Sequence, residues 1–186
     1  MKDDLIKALE TLRSGGTILY PTDTIWGIGC DATNDEAVKR VFEIKSREDT
    51  RQMLILISDP ANIGNYVKEV PDMAFTLIES AERPLSIIFQ NAVNLAPSLI
   101  GPDNTIGIRV VRDDFCRELI RELGSPLVST SANISGSPPP EDYSSIDPEI
   151  KEAVDYNVKW RQDDRTASGP SDIIKFGEDG ELIKIR

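Results

Sequence analysis

Residues 105–130 read TIGIRVVRDDFCRELIRELGSPLVST, and the fold turns on this stretch. Thr105 to Val111 is an apolar run that reads as a strand, about Asp114 to Leu123 reads as a helix, and Pro126 to Thr130 reads as a second strand. Outward from it the alternation continues. Leu5, Ala8, Leu9 and Leu12 at i, i+3, i+4 and i+7 mark a first helix, with an Asp pair suited to capping it and Gly15-Gly16 closing it. Thr17 to Tyr20 and Ile25 to Cys30 read as strands around a Pro21 to Thr24 loop, and Asn34 caps a helix carrying Ala37, Val38, Val41 and Ile44. Met53 to Ile57 and Leu85 to Phe89 are further strands. Helices are expected from Pro60 and Pro71, each proline sitting where a first helical residue tolerates a missing N–H.

Beyond Thr130 the composition changes. Ser135 to Pro148 is rich in Ser and Pro and predicts an extended loop; a short helix opens at Asp147-Pro148, and strands are expected at Val154 to Val158, Asp172 to Phe176 and Glu181 to Ile185. No internal repeat or linker divides the chain, so residues 1–186 are expected to form one α/β domain around a mixed sheet.

Composition narrows the chemistry. Among 186 residues there is no histidine, which removes His-dependent hydrolases, His-ligated metals and histidine proton shuttles. Cys30 and Cys116 lie far apart without Cys-x-x-Cys spacing and read as buried thiols. Net charge is −11, from 21 Lys+Arg against 32 Asp+Glu, and argues against a general nucleic-acid or membrane binder. The acidic start, Met1-Lys-Asp-Asp4, and the shortness of the densest apolar run predict a cytoplasmic location with no membrane partner. There is no Gly-x-x-x-x-Gly-Lys-Ser/Thr loop, no Gly-x-Ser-x-Gly elbow and no Ser-x-x-Lys, so no activated side-chain nucleophile is visible.

Four polar stretches exceed what a fold alone requires. Pro21-Thr-Asp-Thr24 places hydroxyls and a carboxylate between two apolar strands, as a simple Asx or Ser/Thr turn would also do. Residues 39–51 hold five basic and three acidic side chains; Arg47 and Arg51, before a buried strand, could fork onto polyphosphate or end a solvated helix. Arg109 lies within an apolar strand and needs an anionic partner, from protein or ligand. Ser129-Thr-Ser-Ala-Asn-Ile-Ser-Gly136 follows a strand's carboxyl end, where small hydroxyl residues and backbone N–H groups can wrap a phosphate.

Tyr20-Pro-Thr-Asp-Thr-Ile-Trp-Gly27, Lys45-Ser-Arg47, Ile106-Gly-Ile-Arg109 and above all Ser129-Thr-Ser-Ala-Asn-Ile-Ser-Gly-Ser-Pro138 resemble, in order and spacing, the YrdC-like threonylcarbamoyl-AMP synthase family in its short form. The resemblance implies a twisted mixed sheet flanked by helices around a large concave cleft. It implies condensation of L-threonine, bicarbonate or CO₂, and ATP into threonylcarbamoyl-AMP with release of pyrophosphate. Other proteins, tRNA threonylcarbamoyl transferases, then modify adenosine 37 of tRNA. By motif position, Thr24, Arg109, Ser129 and Ser171 would hold threonine, and Lys45, Arg47, Arg51, Thr105, Ser131 and Asn133 would surround ATP, with Pro139 and Arg186 near adenosine or phosphates. No tightly bound cofactor and no protein-held metal are implied; Mg²⁺ would arrive on the ATP phosphates.

The chain departs from the pattern in places. Trp26 stands for a usual Tyr, Gln52-Met53 for Lys/Asn-Pro, Leu56 for a threonine-contacting His of some members, Arg83-Pro-Leu-Ser86 for Pro-Gly-Pro-x-Thr, and Ser171-Asp172 for Ser-Thr. Two other readings compete. One is a YciO-like paralogue acting on a finished nucleotide, disfavoured by the intact Ser-Ala-Asn block. The other is a noncatalytic, ribosome-associated RNA binder, disfavoured by the net charge.

Overall fold

The computed structural model describes residues 1–45, 53–166, 169–177 and 180–186. Arg47 and Arg51, with the rest of residues 46–52, lie outside the described residues.

Five α-helices and nine strands alternate along the described chain: α1 (Lys2–Arg13), β1 (Ile18–Tyr20), β2 (Gly27–Gly29), α2 (Asp35–Ile44), β3 (Leu54–Ile57), α3 (Asp72–Ser80), β4 (Leu85–Phe89), β5 (Ile106–Val110), α4 (Asp114–Leu123), β6 (Leu127–Ser131), α5 (Pro148–Ala153), β7 (Tyr156–Asn157), β8 (Asp172–Phe176) and β9 (Leu182–Lys184). The helix ends follow from local chemistry. Asn34 accepts from Ala37 N at 3.2 Å at the start of α2. Asp113 accepts from Cys116 N at 2.9 Å ahead of α4, and Gly124 closes that helix at φ 80°, a left-handed turn that glycine adopts without a Cβ penalty. Asp3 and Asp4 do not cap α1 as expected; they lie inside its first turn, where they complement the helix dipole.

The strands form one mixed sheet in the order β7-β1-β2-β6-β3-β5-β4-β8-β9, with β1–β7, β3–β5 and β4–β8 parallel and the other neighbours antiparallel. One face carries Ile28, Ile55, Ile57, Ile87, Ile106, Ile108 and Val128 into a core closed by Ala37, Val38 and Val41 of α2, with Ile63, Ala74 and Ile150. The opposite face is divided. Toward one end Ile18, Tyr20, Leu56, Val111 and Leu127 pack against α1 and α4 through Ala8, Leu12, Phe115, Cys116 and Leu119. The remainder includes the row Ser129–Leu54–Gly107–Ile88, drawn from β6, β3, β5 and β4 in register, of which Ser129, Leu54 and Ile88 line a cavity.

Several elements differ from the sequence expectation, each for a physical reason. β2 is shorter than Ile25 to Cys30 because the Thr22 hydroxyl donates to the Ile25 carbonyl at 2.8 Å and keeps that residue in the loop. β6 instead runs on to Ser131, which pairs with Gly27. Pro60 opens a 3₁₀ helix, Pro60–Asn65, capped by Asp59, rather than an α-helix, and Pro71 is the N-cap of α3 rather than its first residue. Both cysteines are buried free thiols, as expected. Burial pushes both thiols up, helped by Asp113 beside Cys116 and by Asp31 beside Cys30.

Candidate functional site

The sheet row left uncovered by helices opens into a cavity of about 1040 Å³, enough for a nucleotide and a small second substrate. Gly27 lines it, and Gly107 lies in the same sheet row as the lining residues Ser129, Leu54 and Ile88. A Cβ at Gly27 would sit 3.3 Å from Thr130 O and 3.4 Å from Ser129 Oγ, and one at Gly107 would sit 3.2 Å from Leu54 Cβ.

Arg109 enters the cavity wall from β5, between Leu56 on β3 and Ser86 on β4. It is 3% exposed, and the sequence demand for an anion is met in part by Asp23, whose Oδ1 lies 3.1 Å from the guanidinium. Asp23 is itself held, since its Oδ2 accepts from Arg112 N at 3.0 Å. The guanidinium is not saturated, because its Nε is buried without a hydrogen-bond partner. A desolvated cation with a spare donor is a receptor for an anion.

Thr24, Ser129 and Ser171 line the cavity with Arg109. The Thr22 hydroxyl lies 2.9 Å from the Thr24 hydroxyl and accepts from Thr24 N at 3.0 Å, so the Pro21 to Thr24 segment is a hydroxyl-stabilised turn that also presents Thr24 to the cavity. Ser171 shares a buried hydrogen bond of 2.9 Å with Ser86, a residue whose role the sequence did not reveal. Its carbonyl accepts from Arg186 Nε at 3.1 Å. Desolvation, then repulsion from Arg109, hold the Arg186 guanidinium below its ordinary value, with Asp172 opposing. Two arginines therefore feel one another at one end of the cavity.

The Ser129 to Gly136 block forms the other wall. Lys45, 2% exposed, donates its ammonium to Ser131 O at 2.5 Å and Asn133 O at 2.7 Å, while Ser135 N donates to Lys45 O at 3.1 Å. The lysine thus pins the loop as well as lining the cavity. Asn133 Nδ2 donates to Ile134 O and Ser137 O at 3.0 and 2.7 Å, which leaves its buried Oδ1 without a partner. Ser131, Asn133, Pro139 and Arg186 all line the cavity. Thr105 does not; its hydroxyl donates to Pro102 O at 2.9 Å, and Pro102 takes the place at the wall.

In the described part of the basic run, the first two cations have carboxylate partners on their own helix. Lys39 pairs with Asp35 at 2.9 Å and Glu36 at 2.8 Å, and Arg40 with Glu43 at 3.0 Å, along the helix face. Of the described basic residues in that run, Lys45 alone reaches the cavity. Trp26 lines it too, with its ring 4.9 Å from Tyr143 at a 54° tilt, and Lys151 Nζ stands 4.8 Å from the Tyr143 ring centre. Among the described residues no cluster of three or more His, Cys, Asp or Glu is placed to hold a metal ion.

The family model for Sua5, YciO and YrdC proteins, described as "Telomere recombination", matches residues 10–186. The chain is 33% identical over 154 residues to the threonylcarbamoyl-AMP synthase of Stenotrophomonas maltophilia, covering 81% of this chain and 83% of that one. It is 30% identical over 176 residues to the threonylcarbamoyl-AMP synthase of Idiomarina loihiensis, covering 92% of each. Among solved structures, P. abyssi Sua5 complexed with L-threonine superposes with a TM-score of 0.83 at 24% identity, over 98% of this chain and 53% of that one. E. coli YciO superposes at 0.86 and 24% identity, over 100% of this chain and 89% of that one. At that identity these two likenesses speak for the fold, while the family match and the two relatives speak for descent. The chain belongs to the Sua5/YciO/YrdC family.

Proposed function

We propose that the protein is an L-threonylcarbamoyladenylate synthase, an ATP-dependent nucleotidyltransferase that condenses L-threonine, bicarbonate or CO₂, and ATP. The observation that carries this reading is Arg109: a buried guanidinium with an unpartnered Nε, on a cavity wall beside Thr24, Ser129 and Ser171. Such a group suits the carboxylate of an amino acid, and the surrounding hydroxyls suit its amine and side-chain hydroxyl. The relatives' names support the substrate class.

Threonine's neutral amine forms an N–C bond to the carbon source, giving a carbamate and releasing a proton when the source is CO₂ or a water molecule when it is bicarbonate. A carbamate oxygen then attacks the α-phosphorus of ATP, and the bond to pyrophosphate breaks. Both nucleophiles arrive with the substrates, so a chain without histidine meets the chemical demand by alignment and charge. Alignment of bound reactants contributes roughly 7 to 11 kcal/mol at its best. Lys45, Ser131, Asn133, Pro139 and Arg186 are assigned to the nucleotide side, with Mg²⁺ borne on the phosphates as part of the substrate. Arg47 and Arg51 belong to the same proposal on motif position alone.

The product is a reactive mixed anhydride. It would be consumed by a tRNA threonylcarbamoyl transferase acting on adenosine 37. No helix among the described residues is long and apolar enough to cross a membrane, and we place the protein in the cytoplasm. The test is pyrophosphate release with each of threonine, bicarbonate and ATP withheld in turn. Release requiring all three supports the synthase. Turnover that ignores threonine points to the YciO-like reading, and ATP-independent RNA binding without turnover refutes catalysis.

A further inference from the structure

Arg161 is neither at the cavity wall nor in any motif the sequence singled out, yet its geometry is costly and its contacts are directed. Its backbone sits at φ 64°, a left-handed conformation that a long side chain adopts only when its surroundings enforce it. The side chain supplies the enforcement. Nε donates to Asp164 Oδ2 at 3.0 Å, and one terminal nitrogen donates to both Asp113 Oδ2 and the Thr22 carbonyl at 3.1 Å. Asp113 is also the N-cap of α4, so the guanidinium ties three segments together: the loop ahead of β2, the start of α4 and the turn at residues 161–164.

The strap lies directly behind the cavity wall. Thr24, Ile25 and Trp26 line both the main cavity and a second, water-sized cavity of about 10 Å³, whose far side holds Arg161, Asp142, Asp164 and Thr166. The wall between them is therefore one strand of chain thick. Thr22 is its fulcrum. Its carbonyl is held from behind by Arg161, and its hydroxyl orients Thr24 and Ile25 and lies 3.5 Å from Arg109.

We infer that Arg161 is a positioning residue for the amino-acid end of the cavity, acting through Thr22 on Thr24 and Arg109 and having no corresponding hold on the Ser131 to Pro139 wall. The inference rests on the synthase reading above, and the experiment separates the two. Threonine and ATP KM values from pyrophosphate release, and threonine affinity by calorimetry without ATP, are measured for wild type, Arg161→Gly, Arg161→Ala and Arg161→Lys. Glycine keeps the positive φ at no steric cost, so Arg161→Gly removes the strap while sparing the backbone.

Losing a charge-assisted hold on the loop is expected to raise the threonine KM and dissociation constant about tenfold, with the ATP KM changed less than about twofold. Arg161→Lys should recover part of the loss. If Arg161→Gly fails to fold, Asp164→Asn, which loosens the guanidinium without emptying its place, should show the same split at smaller size. Threonine and ATP constants that rise together, a fall in kcat alone, or no change in any variant would overturn the inference while leaving the synthase reading standing. A wild type that neither binds threonine nor releases pyrophosphate overturns both.

Discussion

The Arg109–Asp23 pair offers the most direct test of how the site is built. The two side chains are only 4% and 10% exposed and meet at 3.1 Å, so little water screens them. Removing one partner from a buried pair leaves an uncompensated charge and costs about 3 to 5 kcal/mol. Arg109→Met strands Asp23, but the carboxylate keeps its bond from Arg112 N, which puts the loss near the lower end, about 3 kcal/mol. Asp23→Asn strands a guanidinium whose Nε already lacks a partner, for a similar loss of about 3 to 4 kcal/mol. In the double variant no stranded charge remains, so its loss should fall below that of either single variant rather than reach the summed 6 or 7, a coupling larger than about 3 kcal/mol. Urea unfolding at 25 °C of wild type and the three variants measures it, and for a chain of this length each kcal/mol also moves Tm by about 2 to 4 °C. The coupling should persist in 1 M NaCl, where the Debye length of about 3 Å would extinguish a surface pair. Losses that add to within about 0.5 kcal/mol would show that the 3.1 Å approach is incidental and that Arg109 is not held for a ligand by Asp23.

Two glycines should respond oppositely to the same change. Gly29→Ala puts a Cβ 2.2 Å from Val128 O and 2.8 Å from Tyr20 Cε1, a clash with backbone and a buried ring that should cost about 3 kcal/mol or more. Gly124→Ala meets no atom within 4 Å and should cost only the left-handed penalty, about 1 to 2 kcal/mol, both read from urea midpoints. Hydrogen bonds from Ser98 and Lys39 hold the Asp35 carboxyl at about 2, below its ordinary 3.8. The stability it contributes is present above the ordinary value and is lost as pH falls toward about 2; Asp35→Asn should therefore be less stable than wild type at pH 5, with the gap in Tm closing by pH 2. Cys30 and Cys116, both buried with raised pKa values, should resist a thiol-specific disulfide reagent in native buffer and react together in urea, at the rate of global unfolding; fast reaction of either in the native state would contradict the packing.

Helices carried their own punctuation, which is why α2 and α4 were legible. Asn34, Asp113 and Gly124 act on neighbours within four residues, and such bonds can be read from spacing. Local pattern falls short where a distant or unexpected acceptor decides the outcome. The Thr22 hydroxyl took the Ile25 carbonyl and shortened β2. Within the basic run, Lys39 finds its partners Asp35 and Glu36 just ahead of it on the same helix. Arg109 illustrates the same limit at the site. An arginine among strand residues announces the need for an anion, but the strand and the loop carrying Asp23 meet only in the folded sheet. Ser86 and Ser171 likewise find each other only because β4 and β8 run parallel with Ser86 opposite Ile173. Arg161 left no signal at all, since neither a positive φ nor a bond to a distant carbonyl is written in local pattern.

How an acidic protein receives a polyanion follows from where its cations stand. Charges spread over the surface of the −11 chain are damped beyond about 8 to 10 Å at moderate ionic strength, so an anion inside the cavity answers to the groups beside it. Those groups differ in readiness. Lys39 and Arg40 have carboxylates at hand on their own helix. Lys45 donates to the carbonyls of Ser131 and Asn133 at the wall it pins. Arg109 has one carboxylate and an idle Nε, and Arg186 is bound through its own Nε only to a carbonyl and is pressed from its ordinary pKa by burial and by Arg109. An incoming anion relieves that mutual repulsion, so the first anionic substrate to bind lowers the cost of holding the two arginines together. The same relief is available to negative charge that develops as the carbamate attacks phosphorus, and fixed cations already in place need no reorganisation to supply it.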